Sequence, residues 1–258
     1  MKKRIVIKVG THVINDEERL SISRFEKLVE FLALAMDKHE VILVSSGAVA
    51  TGFSKIKLDK KIISDKQALA AIGQPYLMQY YNEFLQKYGK IGAQILLVYD
   101  DFDSRKRTKA ARDAVNTLLK NGVLPIINEN DSTAVEEIVF GDNDQLSAHV
   151  THFFDADLLV ILSDIDGYYS ADPKEDKNAK LILHVDKIEK SELCKNINAG
   201  SEFSTGGIVT KLKAADFLLK NKRSMFLTSG FDLNDAKNFI LENRHSGGTL
   251  FMPKGKFK

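Results

Sequence analysis

Short apolar runs alternate along this chain with longer segments whose apolar positions recur every three to four residues. The first run, residues 4–9, reads as a buried strand. Ser21 stands as an N-cap before a helix whose Phe25, Leu28, Val29, Leu32, Ala35 and Met36 share one face. Val41 to Ser45 is the next strand and runs into a strand-to-helix turn at Ser46-Gly47-Ala48-Val49. Residues 65–88 have a helical pattern that Gly73-Gln74-Pro75 should break or kink, because proline lacks the N–H and its ring clashes with the preceding turn. A strand from Ile91 to Val98, a helix over 105–120 and a strand from Val123 to Asn128 follow. Residues 132–140 suggest a short hairpin or edge excursion, and a helix runs from about Asp142 to Phe154. Leu158 to Leu162 is the strongest strand of the chain, followed by a charged, turn-rich stretch over 164–180. A helix from about Gly207 to Lys220, a strand from Met225 to Thr228, a helix over 233–243 and a last strand from Thr249 to Met252 complete the pattern. Strands alternating with helices predict an α/β fold with a mostly parallel sheet covered on both faces. In such sheets ligands sit beyond the carboxyl ends of the strands.

Several polar turns carry candidate chemistry. Lys8 precedes Gly10-Thr11 at the end of the first strand, and Lys211 closes Ser204-Thr205-Gly206-Gly207-Ile208-Val209-Thr210-Lys211 ahead of a helical pattern. A strand-end lysine and a glycine turn before a helix are the parts that hold a polyphosphate and carry charge in phosphoryl transfer. The GxxxxGK[ST] spacing of a Walker A loop is absent. Ser45-Ser46-Gly47-Ala48 offers N–H groups at a helix start to an anion. It lacks the Gly-x-Ser-x-Gly elbow that a nucleophilic serine needs. Asn128-Glu129-Asn130-Asp131 and Gly141-Asp142-Asn143-Asp144 are dense in short polar side chains. Such residues favour turns for local reasons, but two clusters also suit an ammonium group, a metal or the orientation of a lysine. Ser163-Asp164-Ile165-Asp166-Gly167 reads either as a plain strand exit or as carboxylates for ribose, adenine or Mg²⁺. Tyr168 and Tyr169 read as packing residues. His149 and His152, three apart on a helix, read as a surface or core pair, with no third ligand at zinc-site spacing.

Composition removes several classes. The chain of 258 residues suits one large domain or two small lobes. Lys+Arg 37 against Asp+Glu 35 leaves +2, so no global basic field points to nucleic acid. The cluster Ser104-Arg105-Lys106-Arg107-Thr108-Lys109 reads as a solvated helix start. Cys194 is the single cysteine, which excludes an internal disulfide and a cysteine-rich metal site. No apolar stretch is long enough for a membrane span, and the expectation is a cytoplasmic protein.

These turns, in this order, resemble the amino acid kinase family, and within it the branch that acts on free L-glutamate. The matching strings are KVGT at 8–11, SSGA at 45–48, INEND at 127–131, GDND at 141–144, SDIDGYYSADP at 163–173, TGG at 205–207, TKLKAA at 210–215 and GTLF at 248–251. INEND followed by GDND is the most specific element. The resemblance implies a three-layer αβα sandwich around a mainly parallel sheet of about eight strands. It implies an ATP-dependent kinase, aided by Mg²⁺, that phosphorylates the γ-carboxylate of L-glutamate to L-glutamyl 5-phosphate, the first step of proline biosynthesis. N-acetylglutamate kinase, aspartokinase, uridylate kinase or a non-catalytic nucleotide-binding protein are the alternatives. It further implies that Lys8 and Lys211 contact the transferred phosphoryl group and that Asp144 orients them. Gly10, Ser163, Asp164, Thr205, Gly206, Gly207, Ile208, Val209, Thr210 and Lys211 line the ATP site on this reading. Ser46, Asp131 and Asn143 hold glutamate, with Thr11, Gly47, Ala48, Asn128 and Asp142 near it. A substrate-binding part over about 1–155 and a nucleotide-binding part over about 156–258 are expected to share one sheet. A homo-oligomer and coupling to glutamyl-phosphate reductase are expected, with no nucleic-acid or membrane partner. Three departures stand out: Ser204 replaces the first glycine of the family's loop, His12 replaces a small hydroxyl residue, and the C-terminal PUA domain of many relatives is not expected here.

Overall fold

The computed structural model describes residues 2–16, 19–133, 143–193 and 206–255. In chain order the first elements are β1 (Arg4–Val9), α1 (Thr11–Ile14), β2 (Asn15–Asp16), β3 (Arg19–Leu20), α2 (Ile22–Lys38), β4 (Glu40–Ser45), α3 (Ala48–Phe53) and α4 (Ile63–Gln86). They are followed by β5 (Gly92–Leu97), α5 (Asp100–Asp103), α6 (Arg105–Lys120), β6 (Leu124–Glu129), α7 (Asn143–Phe153) and β7 (Leu158–Ser163). The chain continues through β8 (His184–Val185), α8 (Lys190–Leu193), α9 (Gly206–Lys220), β9 (Ser224–Ser229), α10 (Asn234–Glu242) and β10 (Thr249–Phe251). The expected hairpin over 132–140 and Cys194 fall outside the described residues, apart from the turn at 132–133.

Eight strands form one sheet in the order β5-β6-β4-β1-β7-β9-β10-β8. All pairings are parallel except β10 with β9, so β10 and β8 run against the rest. Strands from both halves of the chain therefore enter one sheet. The central strands are buried on both faces, which is why they read as unbroken apolar runs. Side chains of β1 alternate: Ile5, Ile7 and Val9 join the core under α2, α4 and α10, while Val6 joins the core under α6, α7 and α9. This period of two sends Lys8 to the same face as Val6. The three layers are thus helix, sheet and helix, as the alternation predicted.

The break expected at Gly73-Gln74-Pro75 does not occur: α4 runs from Ile63 through Pro75 to Gln86. Proline removes one backbone bond from the helix, but Leu69, Ala70, Gly73, Gln74, Leu77 and Met78 around it are all buried. Tertiary packing overrides a local cost of about 3 kcal/mol. Gly73 and Gly52 are what let α3 lie against α4. A Cβ on Gly73 would stand 1.8 Å from the Ala48 carbonyl oxygen, and one on Gly52 2.0 Å from that of Leu69. Gly73→Ala is therefore expected to destabilise the fold by about 1–3 kcal/mol or more, because backbone rather than a flexible side chain must yield. A urea titration followed by circular dichroism checks this, and an unchanged midpoint would contradict the close helix crossing.

The short elements α1, β2, β3, α5, β8 and α8 were not foreseen, since none spans enough residues to establish a period. The basic cluster at 104–109 is the start of α6, where Ser104 Oγ accepts from the Arg107 N–H at 3.4 Å. His149 packs among Tyr99, Phe102, Phe153 and Phe217, stacking on Phe217 with ring centroids 4.6 Å apart. Burial lowers the pKa of its imidazole, against the opposing hydrogen bond to the Gln145 carbonyl. It is a joint between α7 and α9.

Candidate active site

Three ionised side chains meet on the α7–α9 side of the sheet. Lys8 Nζ lies 2.7 Å from Asp144 Oδ1, and Lys211 Nζ lies 3.1 Å from Asp144 Oδ2. Thr210 Oγ1 donates to the same Oδ2 at 3.1 Å. Lys8, Lys211 and Asp144 are each 5% exposed or less. Buried charges are tolerated when paired and hydrogen-bonded. Here two ammonium groups converge on one carboxylate, a balance that favours an approaching anion. The elements dictate the convergence: Lys8 ends a strand, Asp144 opens α7, and Lys211 lies one turn into α9. Gln145 Nε2 donates to the Thr210 carbonyl at 3.0 Å and holds the two helix starts in register.

Glycines surround the ammonium groups. Lys211 Nζ donates to the Gly207 carbonyl at 3.0 Å. A Cβ would stand 3.8 Å from Lys211 Nζ at Gly207 and 3.9 Å from Lys8 Nζ at Gly10. Gly10 itself adopts an ordinary φ of −76°, so its role is the space it leaves and not a special conformation. Gly206, Gly207, Ile208, Val209 and Thr210 form the first turn of α9. Ser163 closes β7 next to β1, and its Oγ donates to Asp164 Oδ1 at 2.9 Å. Asp164 is exposed beyond the strand end. Thr205, Ser204 and Asp142 lie outside the described residues.

Beside the lysines a cleft of about 500 Å³ opens. Its walls include Thr11, Ser46, Gly47, Ala48, Asn128, Asp131 and Asn143. These are the expected substrate residues, Asp142 excepted. Gly47 takes φ +108° between β4 and α3, a left-handed conformation that favours glycine. That turn sets Ser46 toward α7, where Asn143 Nδ2 donates to Ser46 Oγ at 2.8 Å. Ser45, one residue earlier, points into the core to Tyr81, 2.7 Å away, and burial pushes the Tyr81 hydroxyl pKa up. The same Nδ2 also donates to Asn128 Oδ1 at 3.0 Å, so both donors of the Asn143 amide are directed into protein and the amide presents its oxygen as the acceptor.

Sequence reasoning missed part of the wall. His12, noted above as a departure from the family, lines the cleft with Asn15, Lys60, Lys66, Gln67 and Glu129. The lysines arrive because α3 and α4 cross at their glycines, which brings the segment leading into α4 to the same cleft as Gly47. The stretch from Lys57 to Gln67, a basic segment leading into the predicted helix, carries no motif of its own until that crossing is known. A second depression of about 410 Å³ runs along edge strand β8 and is lined by Tyr168, Ile182, His184, Val185, Asp186, Lys187 and Glu192. None of the expected nucleotide residues is among those lining it. Tyr168 packs near Phe251 and donates to Glu192, so the packing reading of that tyrosine holds.

A model of the amino acid kinase family matches residues 3–229. The chain is 51% identical to the Glutamate 5-kinase of Wolinella succinogenes over 98% of this chain and 99% of that protein. It is 51% identical to the Glutamate 5-kinase of Leishmania donovani over 96% of this chain and 95% of that protein. Among solved structures, a UMP kinase from Ureaplasma parvum superposes with TM-score 0.66 at 14% identity, covering 98% of this chain and 99% of its own. That last likeness bears on the fold.

Proposed function

This chain belongs to the amino acid kinase family and is an enzyme of its glutamate 5-kinase type, and on that premise we propose a residue-level route for phosphoryl transfer from ATP to L-glutamate. The observation that carries the route is the buried Lys8–Asp144–Lys211 bridge. A γ-carboxylate oxygen attacks the γ-phosphorus of ATP, the bond to the β–γ bridging oxygen breaks, and ADP leaves with that electron pair. The carboxylate is already ionised at neutral pH, so no general base is needed. What opposes reaction is the repulsion between two anions. Lys8 and Lys211 offset it and meet the charge on the transferring group, while Asp144 holds both ammonium groups in place before substrate arrives.

ATP is assigned to Gly10, Ser163, Asp164 and the stretch from Thr205 to Lys211. Glutamate is assigned to the cleft, with its ammonium at Asp131 and the Asn143 oxygen and its α-carboxylate at Ser46 and the Gly47-Ala48 turn. Among the described residues no group of three or more His, Cys, Asp or Glu is arranged to hold a metal ion. We therefore assign Mg²⁺ to the nucleotide's own phosphates, where it neutralises their charge. The nucleotide part is read as 156–258 and the substrate part as 1–155. Among the described residues no helix is long and apolar enough to cross a membrane. A cytoplasmic homo-oligomer that hands its labile acyl phosphate to a reductase completes the reading.

The test is a coupled ADP-release assay with L-glutamate, N-acetylglutamate, aspartate and UMP, with and without excess EDTA. Glutamate-dependent ADP release that EDTA abolishes is the expected result. Turnover with another substrate in preference to glutamate would overturn the assignment, and full activity in EDTA would remove the metal.

A further inference from the structure

The transfer route makes no use of Gln74, yet this residue sits in the interior of α4 with its side chain bonded to Asn128, which lines the cleft. It is 7% exposed, and Asn128 above it is 2% exposed. Asn128 Nδ2 donates to Gln74 Oε1 at 3.0 Å, and Gln74 Nε2 donates to Gln94 Oε1 of β5 at 3.2 Å. Asn143 Nδ2 donates in turn to Asn128 Oδ1 at 3.0 Å and to Ser46 Oγ at 2.8 Å. Four amides thus form a ladder from the sheet edge to the cleft.

The direction of this ladder is set at one point. The backbone N–H of Glu129 donates to Asn128 Oδ1 at 2.9 Å. A backbone N–H is always a donor, so it fixes which end of the Asn128 amide is oxygen. The nitrogen must then face α4, and a buried amide N–H needs an acceptor there. Gln74 Oε1 is that acceptor. With Asn128 held this way, Asn143 turns its nitrogen to Asn128 and Ser46 and its oxygen to the opposite edge of the amide. Reversal of the Asn128 amide would set donor against donor at both Glu129 and Asn143.

We infer that Gln74 is a positioning residue for substrate recognition: by accepting the Asn128 N–H in the orientation that the Glu129 N–H sets, it holds Asn128, and through it the Asn143 amide, so that an oxygen, not a nitrogen, meets the α-ammonium group of the amino acid. The inference rests on the substrate assignment made above. The unbroken course of α4 through Pro75 keeps Gln74 in this ladder.

The experiment compares glutamate with glutarate, which keeps both carboxylates and lacks the ammonium. Gln74→Met removes the acceptor at similar volume and leaves a buried N–H without its partner. Gln74→Glu, in either protonation state, still offers an oxygen to Asn128. In Gln74→Met the ratio of kcat/KM for glutamate over glutarate is expected to fall by roughly tenfold, the scale of an unsatisfied buried hydrogen-bonding group. The KM for ATP should stay near the wild-type value. Gln74→Glu should retain most of the wild-type ratio. A purely structural role would lower kcat/KM for both acids together and disturb ATP, and that result would overturn the inference. So would a Gln74→Met ratio equal to wild type. If Gln74→Met does not fold, a folded Gln74→Glu that has lost the ratio overturns it, and one that keeps the ratio supports it. Failure of the wild type to act on glutamate at all would instead count against the substrate assignment.

Discussion

Replacing Lys8 or Lys211 by alanine is expected to lower kcat by roughly 10²–10³, the usual cost of removing one preorganised group from a developing charge. Both ammonium groups are held on the two oxygens of Asp144, at 2.7 and 3.1 Å, so neither has to find its position during reaction. The loss should fall on kcat far more than on the KM for glutamate, because the cleft assigned to the amino acid is lined by other residues. Asp144→Ala should be worse in a different way. It leaves two buried lysines facing each other without the carboxylate between them. Breaking such a buried arrangement typically costs about 3–5 kcal/mol of stability. The alanine variant of Asp144 should therefore lose both turnover and thermal stability, whereas each lysine variant loses mainly turnover. Steady-state kinetics with thermal denaturation separates the cases. Near-normal kcat in both lysine variants would sink the two-lysine mechanism.

Asp131→Ala is expected to raise the KM for glutamate by roughly 10–100-fold, the range for a hydrogen bond to a charged group, while the KM for ATP is almost unchanged. Asp131 is half-buried in the wall of the cleft, which no residue of α9 lines. Its carboxylate suits the free ammonium of the amino acid, beside the oxygen that Asn143 presents. N-acetylglutamate lacks that positive charge and adds bulk, so it should be a poor substrate of the wild type. Aspartate, one methylene shorter, cannot bring its β-carboxylate to the phosphorus while its α-groups stay seated, and should also be poor. Loss of ATP affinity in the Asp131 variant, or a wild-type preference for N-acetylglutamate, would show that the cleft has been assigned to the wrong ligand.

What the order of residues determined by itself is the architecture and the candidates for the reacting groups. Parallel strands covered on both faces must be apolar on both faces, so β1, β4 and β7 announced themselves as runs. The period of helices placed α2, α6 and α10 within a residue or two of their observed bounds. Lys8, Asp144 and Lys211 each stood in a polar turn where the strand or helix pattern changed, which marked them as candidates one by one. What the sequence could not supply is their meeting: three residues far apart in the chain converge because β1 lies between β4 and β7, and α7 and α9 pack over the same face.

Other parts of the site exist only through packing. Local propensity called for a break at Gly73-Gln74-Pro75, and local propensity lost to a buried helix crossing. That crossing brings Lys60, Lys66 and Gln67 to the cleft from a stretch with no motif of its own. It also carries Gln74 beneath Asn128, where one backbone N–H decides the orientation of every amide above it. Side-chain chemistry is written residue by residue, and periodicity writes the elements. Hydrogen-bond direction in a buried polar network is a property of all its members at once, so it appears only when the tertiary structure has assembled them.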